Sequence, residues 1–453
     1  MPRRNNRRAR LPADPVTLKI QSLSHEGRGV GQIDGKVTFV EGALPEELVS
    51  ARYVRRRGQY DEMRVEEVLE ASANRVAPPC EYAGTCGGCS LQHLGPANQI
   101  EFKESVLLEH LARECRLQPE DFTVLPRLQA QSQNYRRKAR LAVRYVAKKG
   151  GALVGFREKN GSFITDMTSC KVLSAEVSNL IKPLRQFITE LDGARDIPQI
   201  EVAVGENPDD SLVVALVFRH MNLLSEKDIA SLENFASQWG CEIYLQPGNP
   251  ESVTKLAPSA SVDRMHYYLP AQDIQFAFHP MDFTQINAEI NRMIVSRTLD
   301  ILQLGKDDEV LDLFCGLGNF TLPIAAACKQ VVGVEGSQQM VERGTENMRA
   351  NQLENIEFHM ANLFEPIDTQ PWYRDSINKI VLDPPRSGAI EIMPAIAALK
   401  PERIVYISCN PATLARDAAQ LIAKGFELKS AGVMDMFPHT AHVESMAVFE
   451  PGN

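Results

Sequence analysis

Between Val16 and Ser72 apolar and polar positions alternate in short runs, VTLKIQSL, GRGVGQIDGKVTFVEGAL, ELVSARYVRRRGQY and DEMRVEEVLEAS, punctuated by glycines at 27, 29, 31 and 35. A period of two broken by glycine predicts a small antiparallel barrel with tight turns over residues 15–73. From Asn98 to Cys115 the period becomes helical, with Ile100, Leu107, Leu108 and Leu111 on one stripe. YRRKARLAVRY (Tyr135 to Tyr145) alternates again. Ala139, Leu141, Val143 and Tyr145 face one side and Lys138, Arg140 and Arg144 the other, which reads as a solvated edge strand or as a track for RNA. Strands at Ile200–Val204 and Leu212–Phe218 follow, so residues 74–280 read as a central α+β domain.

The last third repeats strand, loop and helix. HPMDFTQINAEINRMIVSRTLDIL begins a long helix with Ile286, Ile290, Met293, Ile294 and Ile301 in period. EVLDLFCGLGNFTLPIA then joins an apolar strand, a glycine loop and the start of a helix, and VVGVEGS is a second strand ending in Glu335. MANLFEP puts Asn362 at the end of a third strand, KIVLDPPRSG puts Asp383 at the end of a fourth, and RIVYISCNPATLARD puts Cys409 at the end of a fifth. Pro411 suits the first turn of the helix that Thr413 to Leu421 would form. This alternation predicts a doubly wound, Rossmann-like α/β sheet over residues 281–453, and such sheets bind ligands at the carboxyl edge of their strands. DMFPHTAHVESMAVFE places Glu444 just before an apolar closing strand; His439 and His442 beside it read as structural or solvated.

Composition narrows the class. With 453 residues the chain has room for about three domains, and its hydrophobic fraction of 44% and charged fraction of 24% are those of a soluble globular protein. No apolar run approaches a membrane span and none resembles a signal peptide, so the expected location is the cytoplasm. The formal net charge is −9, so any nucleic-acid contact must come from local basic patches. One is the arm at residues 1–14, whose first ten residues carry five arginines without hydrophobic periodicity. It reads as disordered, either a solubilising tail or a salt-dependent phosphate contact. The others are Arg52, Arg55, Arg56 and Arg57 in the barrel.

The nine cysteines, in a reducing compartment, are thiols, metal ligands or nucleophiles and not a disulfide framework. Cys80, Cys86 and Cys89 stand in CEYAGTCGGCS, and glycines between the last pair let backbone approach the sulfurs of a small metal centre. A fourth ligand is needed, with Cys170 and Cys115 as candidates. Zinc and an iron–sulfur cluster both accept four thiolates, so spacing does not choose between them.

The glycine loop between two strands, with Glu335 about 20 residues on, is the arrangement in which a carboxylate holds the ribose of a nucleotide-like cofactor. The loop lacks the third glycine of the dinucleotide fingerprint and has no P-loop lysine, which favours S-adenosylmethionine over NAD or ATP. Cys409, Asp383 and Glu444 then suit one reaction. Carbon 5 of uracil is a poor nucleophile until a thiolate adds to carbon 6. The resulting enolate can take a methyl group from the sulfonium, and a base must remove the carbon 5 proton so that the thiol can leave. Asp383 is placed to steady the enolate and select uracil, and the target base must lie in a loop or be flipped out of its stack.

HEGRGVGQIDGKVTFVEGALPEE resembles a TRAM domain, an OB-like RNA-binding barrel. DLFCGLGNF, VVGVEGS, LDPPRSG, YISCNPATLARD and PHTAHVESMAVF together resemble the RNA uracil-5 methyltransferase family, and the likeness covers nearly the whole chain. The resemblance implies a class I methyltransferase domain with Cys409 as nucleophile and Glu444 as base. Gln285, Phe314, Asn319, Glu335, Asn362 and Asp383 would contact S-adenosylmethionine or line its pocket. Cys80, Cys86, Cys89 and Cys170 would hold a [4Fe-4S] cluster. Family members that combine a cluster with a TRAM domain act on ribosomal RNA, so the expected partner is 23S ribosomal RNA, with no membrane, no DNA and a monomeric chain.

The rival readings are weaker. A noncatalytic RNA-binding iron–sulfur protein predicts loss of the cysteine or the base, and both are present. A radical enzyme would be expected to have a tighter cysteine triplet and a β/α barrel. A DNA cytosine-5 methyltransferase shares the thiol logic, but the barrel favours RNA. Formation of 5-methyluridine at another ribosomal or transfer RNA position is the nearest alternative.

Overall fold

The computed structural model describes residues 11–256 and 264–452; the arginines of the expected basic arm lie outside the described residues. The chain divides into two compact units, Met1–Gly84, Gly88–Phe102 and His439–His442 forming one and Thr85–Gly87, Lys103–Pro438 and Val443–Asn453 the other.

In the first unit, β1 (Val16–Leu23), β2 (Gly29–Ile33), β3 (Lys36–Glu41), β4 (Leu48–Arg56) and β5 (Tyr60–Glu70) close into a barrel in the order β1-β2-β3-β5-β4. The alternation predicts this, with one difference: β3 and β5 pair in parallel. Leu18, Ile20, Val40, Val49, Ala51 and Met63 fill the interior. Gly31 is required by a close approach, since a Cβ there would lie 2.7 Å from the Lys19 carbonyl oxygen. Three of the four arginines expected to face RNA are ion-paired across β4 and β5, Arg52 with Glu66, Arg55 with Glu62 and Arg56 with Asp61. Those arginines are more than half exposed, and exposed pairs hold weakly, so they stay available to phosphate.

The helix expected from Asn98 is α1 (Pro96–Cys115), of which Lys103 onward belongs to the second unit. That unit continues with β6 (Thr123–Val124), β7 (Lys138–Val146), β8 (Gly151–Gly155), α2 (Ala175–Glu190), β9 (Gln199–Glu206), β10 (Leu212–Arg219), α3 (Glu226–Trp239), β11 (Cys241–Gln246) and β12 (Thr254–Lys255). Six of these strands form a sheet in the order β12-β11-β10-β9-β7-β8. The basic strand β7 therefore lies between β9 and β8, and the edge-strand reading does not hold. Its alternation survives, because Ala139, Leu141 and Val143 are buried while Arg140 and Arg144 are exposed.

A hairpin of β13 (Met265–Leu269) and β14 (Ile274–Phe278) leads to α4 (Ala288–Leu302). This helix starts nine residues later than HPMDF predicts. Asp282 accepts the His279 amide in a turn, and the Asn287 side chain caps the helix by accepting the Ile290 amide. Ile286 is thus outside the helix. The doubly wound region is then β15 (Glu309–Leu313), α5 (Thr321–Ala325), β16 (Gln330–Glu335), α6 (Gln338–Ala350), β17 (Ile356–Met360), β18 (Lys379–Leu382), α7 (Met393–Ala398), β19 (Arg403–Ser408), α8 (Pro411–Ala423), β20 (Phe426–Met434) and β21 (Glu444–Pro451). The sheet runs β17-β16-β15-β18-β19-β21-β20-β6. The strands from β17 to β19 are parallel, while β21 is antiparallel to both β19 and β20. Fully buried residues such as Val310, Leu311, Val381 and Val405 make continuous apolar runs, as a sheet covered on both faces requires. Among the described residues no helix is long and apolar enough to cross a membrane.

Candidate active site

The strand directions assemble the site. Phe314 follows β15, Glu335 ends β16, Asp383 follows β18 and Cys409 follows β19, all at the carboxyl edge. Because β21 runs the other way, its first residue, Glu444, arrives at that same edge. The register pairs Tyr406 with Ala447, Ile407 with Met446 and Ser408 with Ser445, and one further step sets Cys409 opposite Glu444. Two residues that the chain separates by a helix, a strand and a loop are brought together by one antiparallel pairing.

The turn before α8 fixes Cys409. Asn410 caps the helix by accepting the Ala412 amide and donates from its own amide to the Arg386 carbonyl, 2.9 Å away. Buried Asp417 accepts from the Tyr406 hydroxyl and the Ala389 amide, both at 2.7 Å, so the loop from Asp383 to Ala389 is clamped against α8. Asp383 and Cys409 are held on one rigid frame.

Burial makes this site rich in protons. It pushes the Cys409 thiol up to about 11, with the negative charges of Glu444 and Asp383 adding to the rise and Arg386 opposing it. On that figure about one thiol in 10⁴ is ionised at pH 7. Burial also raises Asp383 to about 7 and Glu444 well above the carboxylate range, Asp383 adding to the shift while Lys103 and Arg386 oppose it. Asp312, fully buried in β15, is raised to about 7 by burial, against the pull of the Thr321 hydroxyl 2.6 Å from its Oδ2. Its Oδ1 has no hydrogen-bond partner among the described residues.

The other half of the edge is shaped for a nucleotide. Phe314 adopts a φ of 63°, an outlier for an aromatic residue, and its ring lies 6.2 Å from that of Phe364. Gly316, with φ 57°, gives its amide to Glu335 Oε2 at 3.1 Å, and a Cβ there would meet nothing within 4 Å. Glu335 Oε1 takes the Ser337 amide. An acid at the end of β16, facing an open glycine turn, fits a ribose diol. Asn362 is exposed, two residues beyond β17 instead of at its end, with its Oδ1 accepting the Phe364 amide. Asn319 pairs reciprocally with Asn291 at 2.9 Å in each direction and accepts from the Tyr267 hydroxyl, so its amide shapes the pocket wall. Gln285 donates to Asp383 over 3.4 Å and lines a cavity with Arg137, Tyr267, Tyr268 and Asn291.

The four expected cluster ligands are cysteines not joined in disulfides. Cys80 and Cys89 belong to the first unit and Cys86 and Cys170 to the second. Thiols without a carboxylate are soft donors of the type that an iron–sulfur cluster takes. Among the described residues, however, no group of three or more His, Cys, Asp or Glu is arranged to hold a metal. Cys115, the other candidate, bonds to the Ala415 carbonyl and is raised to about 11 by burial.

Several residues of the site escape the sequence patterns. Arg386 follows the Asp-Pro-Pro corner. Asn291 lies on α4, and Lys103 and Asp435 form a buried ion pair at 2.6 Å. Lys103 does leave a trace, since it stands on the apolar stripe of α1 between Ile100 and Leu107.

Comparison with known proteins agrees with this architecture. Residues 209–450 match the tRNA (uracil-5-)-methyltransferase family and residues 14–60 the TRAM domain. A protein of Alcanivorax borkumensis, 50% identical over 98% of both chains, and one of Hahella chejuensis, 50% identical over 98% of this chain and 99% of its own, are each named 23S rRNA (uracil(1939)-C(5))-methyltransferase RlmD. The crystal structure of the Pyrococcus abyssi tRNA (uracil-54, C5)-methyltransferase, with S-adenosyl-L-homocysteine, shares the fold at a TM-score of 0.71 over 96% of this chain and all of that one, at 22% identity. The chain therefore belongs to the RNA uracil-5 methyltransferase family.

Proposed function

We propose that this enzyme methylates carbon 5 of a specific uridine in 23S ribosomal RNA, using S-adenosylmethionine. The facing positions of Cys409 and Glu444, beside Asp383 at one sheet edge, carry this reading, and the half-identical relatives named for uracil 1939 point to the same substrate. S-adenosylmethionine supplies an electrophilic methyl group when bound. Glu335, Phe314 and Asn362 would hold its nucleoside end, while Gln285 and Asn319 would shape the pocket beside them.

Cys409 gives up its proton to solvent water, and the thiolate sulfur adds to carbon 6 of the flipped base. The ring electrons move toward carbon 5 and oxygen 4, and carbon 5 takes the methyl group on the opposite face. Asp383, poised near neutrality, can donate to oxygen 4 as an acid or accept from the nitrogen 3 hydrogen as a carboxylate, a pairing that cytosine cannot reproduce. Glu444 then takes the carbon 5 proton. The electron pair of that C–H bond becomes the 5,6 double bond and the sulfur leaves as thiolate.

Cys80, Cys86, Cys89 and Cys170 would hold a [4Fe-4S] cluster. The domain limits that go with this reading are 15–73 for the barrel, 74–280 for the cluster domain and 281–453 for the methyltransferase. Protein purified without oxygen is expected to be brown, with a broad visible absorbance lost on replacing Cys86 by serine; colourless protein containing zinc overturns the cluster. The function is tested by mass-spectrometric mapping of 5-methyluridine in RNA from cells lacking the protein. One 23S site should lose its methyl group; unchanged 23S RNA with a loss in transfer RNA contradicts the substrate.

A further inference from the structure

Lys103 is the buried charge that the mechanism above leaves unused. Its side chain is 0% exposed, on the stripe of α1 that also buries Ile100, Leu107 and Leu111. A lysine in such a place is retained only when its charge is paired. Two of its three N–H groups are accounted for, one on Asp435 Oδ1 at 2.6 Å and one on the Phe437 carbonyl at 2.9 Å. Asp435 directly follows Met434, and Met434 is the cross-strand partner of Glu444. The ammonium is thus anchored where β20 and β21 deliver Glu444 to the active site.

We propose that Lys103 is a positioning residue for the last step of the reaction: its ammonium, fixed by Asp435 and the Phe437 carbonyl, draws the Glu444 carboxyl toward the ionised form in which it can accept the carbon 5 proton. The proposal rests on the reading of Glu444 as the base. Around Glu444 stand Asp383 and Arg386 from the loop after β18, Cys409 after β19, Lys103 from α1 and Asp435 at the end of β20. Asp383 and burial drive the carboxyl toward its neutral form, which cannot accept a proton, and Lys103 and Arg386 draw it back. Arg386 is exposed and screened by water. Lys103, wholly buried, acts through a low dielectric and is the stronger of the two.

The sign of the effect separates this role from mere support of the fold. Lys103→Met removes the cation, so Glu444 stays protonated to higher pH. The acid limb of the kcat profile on unmethylated 23S ribosomal RNA should move up by about one unit, with about a tenfold loss at pH 7 that is recovered at pH 9. A denaturant-stable protein–RNA adduct should accumulate, because proton removal has become the slow step. Asp435→Asn removes the countercharge that holds the proton on the buried ammonium, so its acid limb should move up in the same direction. A structural pair would give both variants the same pH-independent loss, and that result overturns the proposal. If Lys103→Met fails to fold, an unshifted acid limb in Asp435→Asn overturns the proposal alone. Glu444→Gln serves as the control. Undiminished turnover in that variant removes the base reading itself, whereas a trapped adduct there beside an unshifted Lys103→Met profile removes only the role given to Lys103.

Discussion

Replacement of Cys409 by alanine is expected to lower methylation by about 10⁴-fold or more while S-adenosylmethionine binds with nearly unchanged affinity. The expectation follows from where the groups sit. Cys409 lies beyond β19, whereas Glu335 and Phe314 lie beyond β16 and β15, so removing a sulfur leaves the nucleoside end of the cofactor pocket intact. Without the thiol the base keeps its aromatic electrons, and carbon 5 has no means of attacking a sulfonium methyl group. Transfer of labelled methyl to RNA and calorimetric titration of cofactor check the two halves separately. Ordinary turnover in Cys409→Ala would remove the mechanism.

Glu444→Gln is expected to fail at the other end of the reaction. Methyl transfer should proceed once, after which the carbon 5 proton has no acceptor and the enzyme stays bonded to its product. A glutamine of the same shape keeps the β21 register and the packing beside Met434, so cofactor binding and the first chemical step should survive. Steady-state turnover should fall by about 10³-fold, and gel electrophoresis in denaturant should show a protein–RNA species absent from Cys409→Ala. Recovery of free RNA only means that another group takes the proton.

The parts of the site that could be seen in the sequence are those set by strand endings. Glu335, Asp383 and Cys409 each terminate or follow a short apolar run, and a parallel sheet lines up such endings along one edge. Glu444 was legible through its family motif, and the geometry adds the reason, an antiparallel last strand that reverses the usual direction of approach. The start of α4 was misplaced because Ile286 fits the helical period, while the turn chemistry of His279, Asp282 and Asn287 overrules it. The basic face of strand β7 reads as a solvated edge or an RNA track, and the edge alternative fails because the strand lies inside the sheet, with Arg140 paired to Glu201 on the neighbouring β9. Lys103 was missed for a different reason. A single lysine in an apolar stripe reads as a side chain reaching for solvent, and its partner Asp435 stands more than three hundred residues away. Pairings of that kind depend on tertiary structure and leave no local pattern.

Central to the mechanism is the bond that one sulfur forms with the ring that is methylated. Glu444→Gln incubated with unmethylated 23S ribosomal RNA and S-adenosylmethionine, then digested with nuclease and protease, tests it by mass spectrometry of the cross-linked peptide. The account predicts a peptide containing Cys409 that carries the mass of a methylated uridine nucleotide. A nucleotide attached to any other residue, or an unmodified Cys409 peptide in an enzyme that has methylated its RNA, would contradict it.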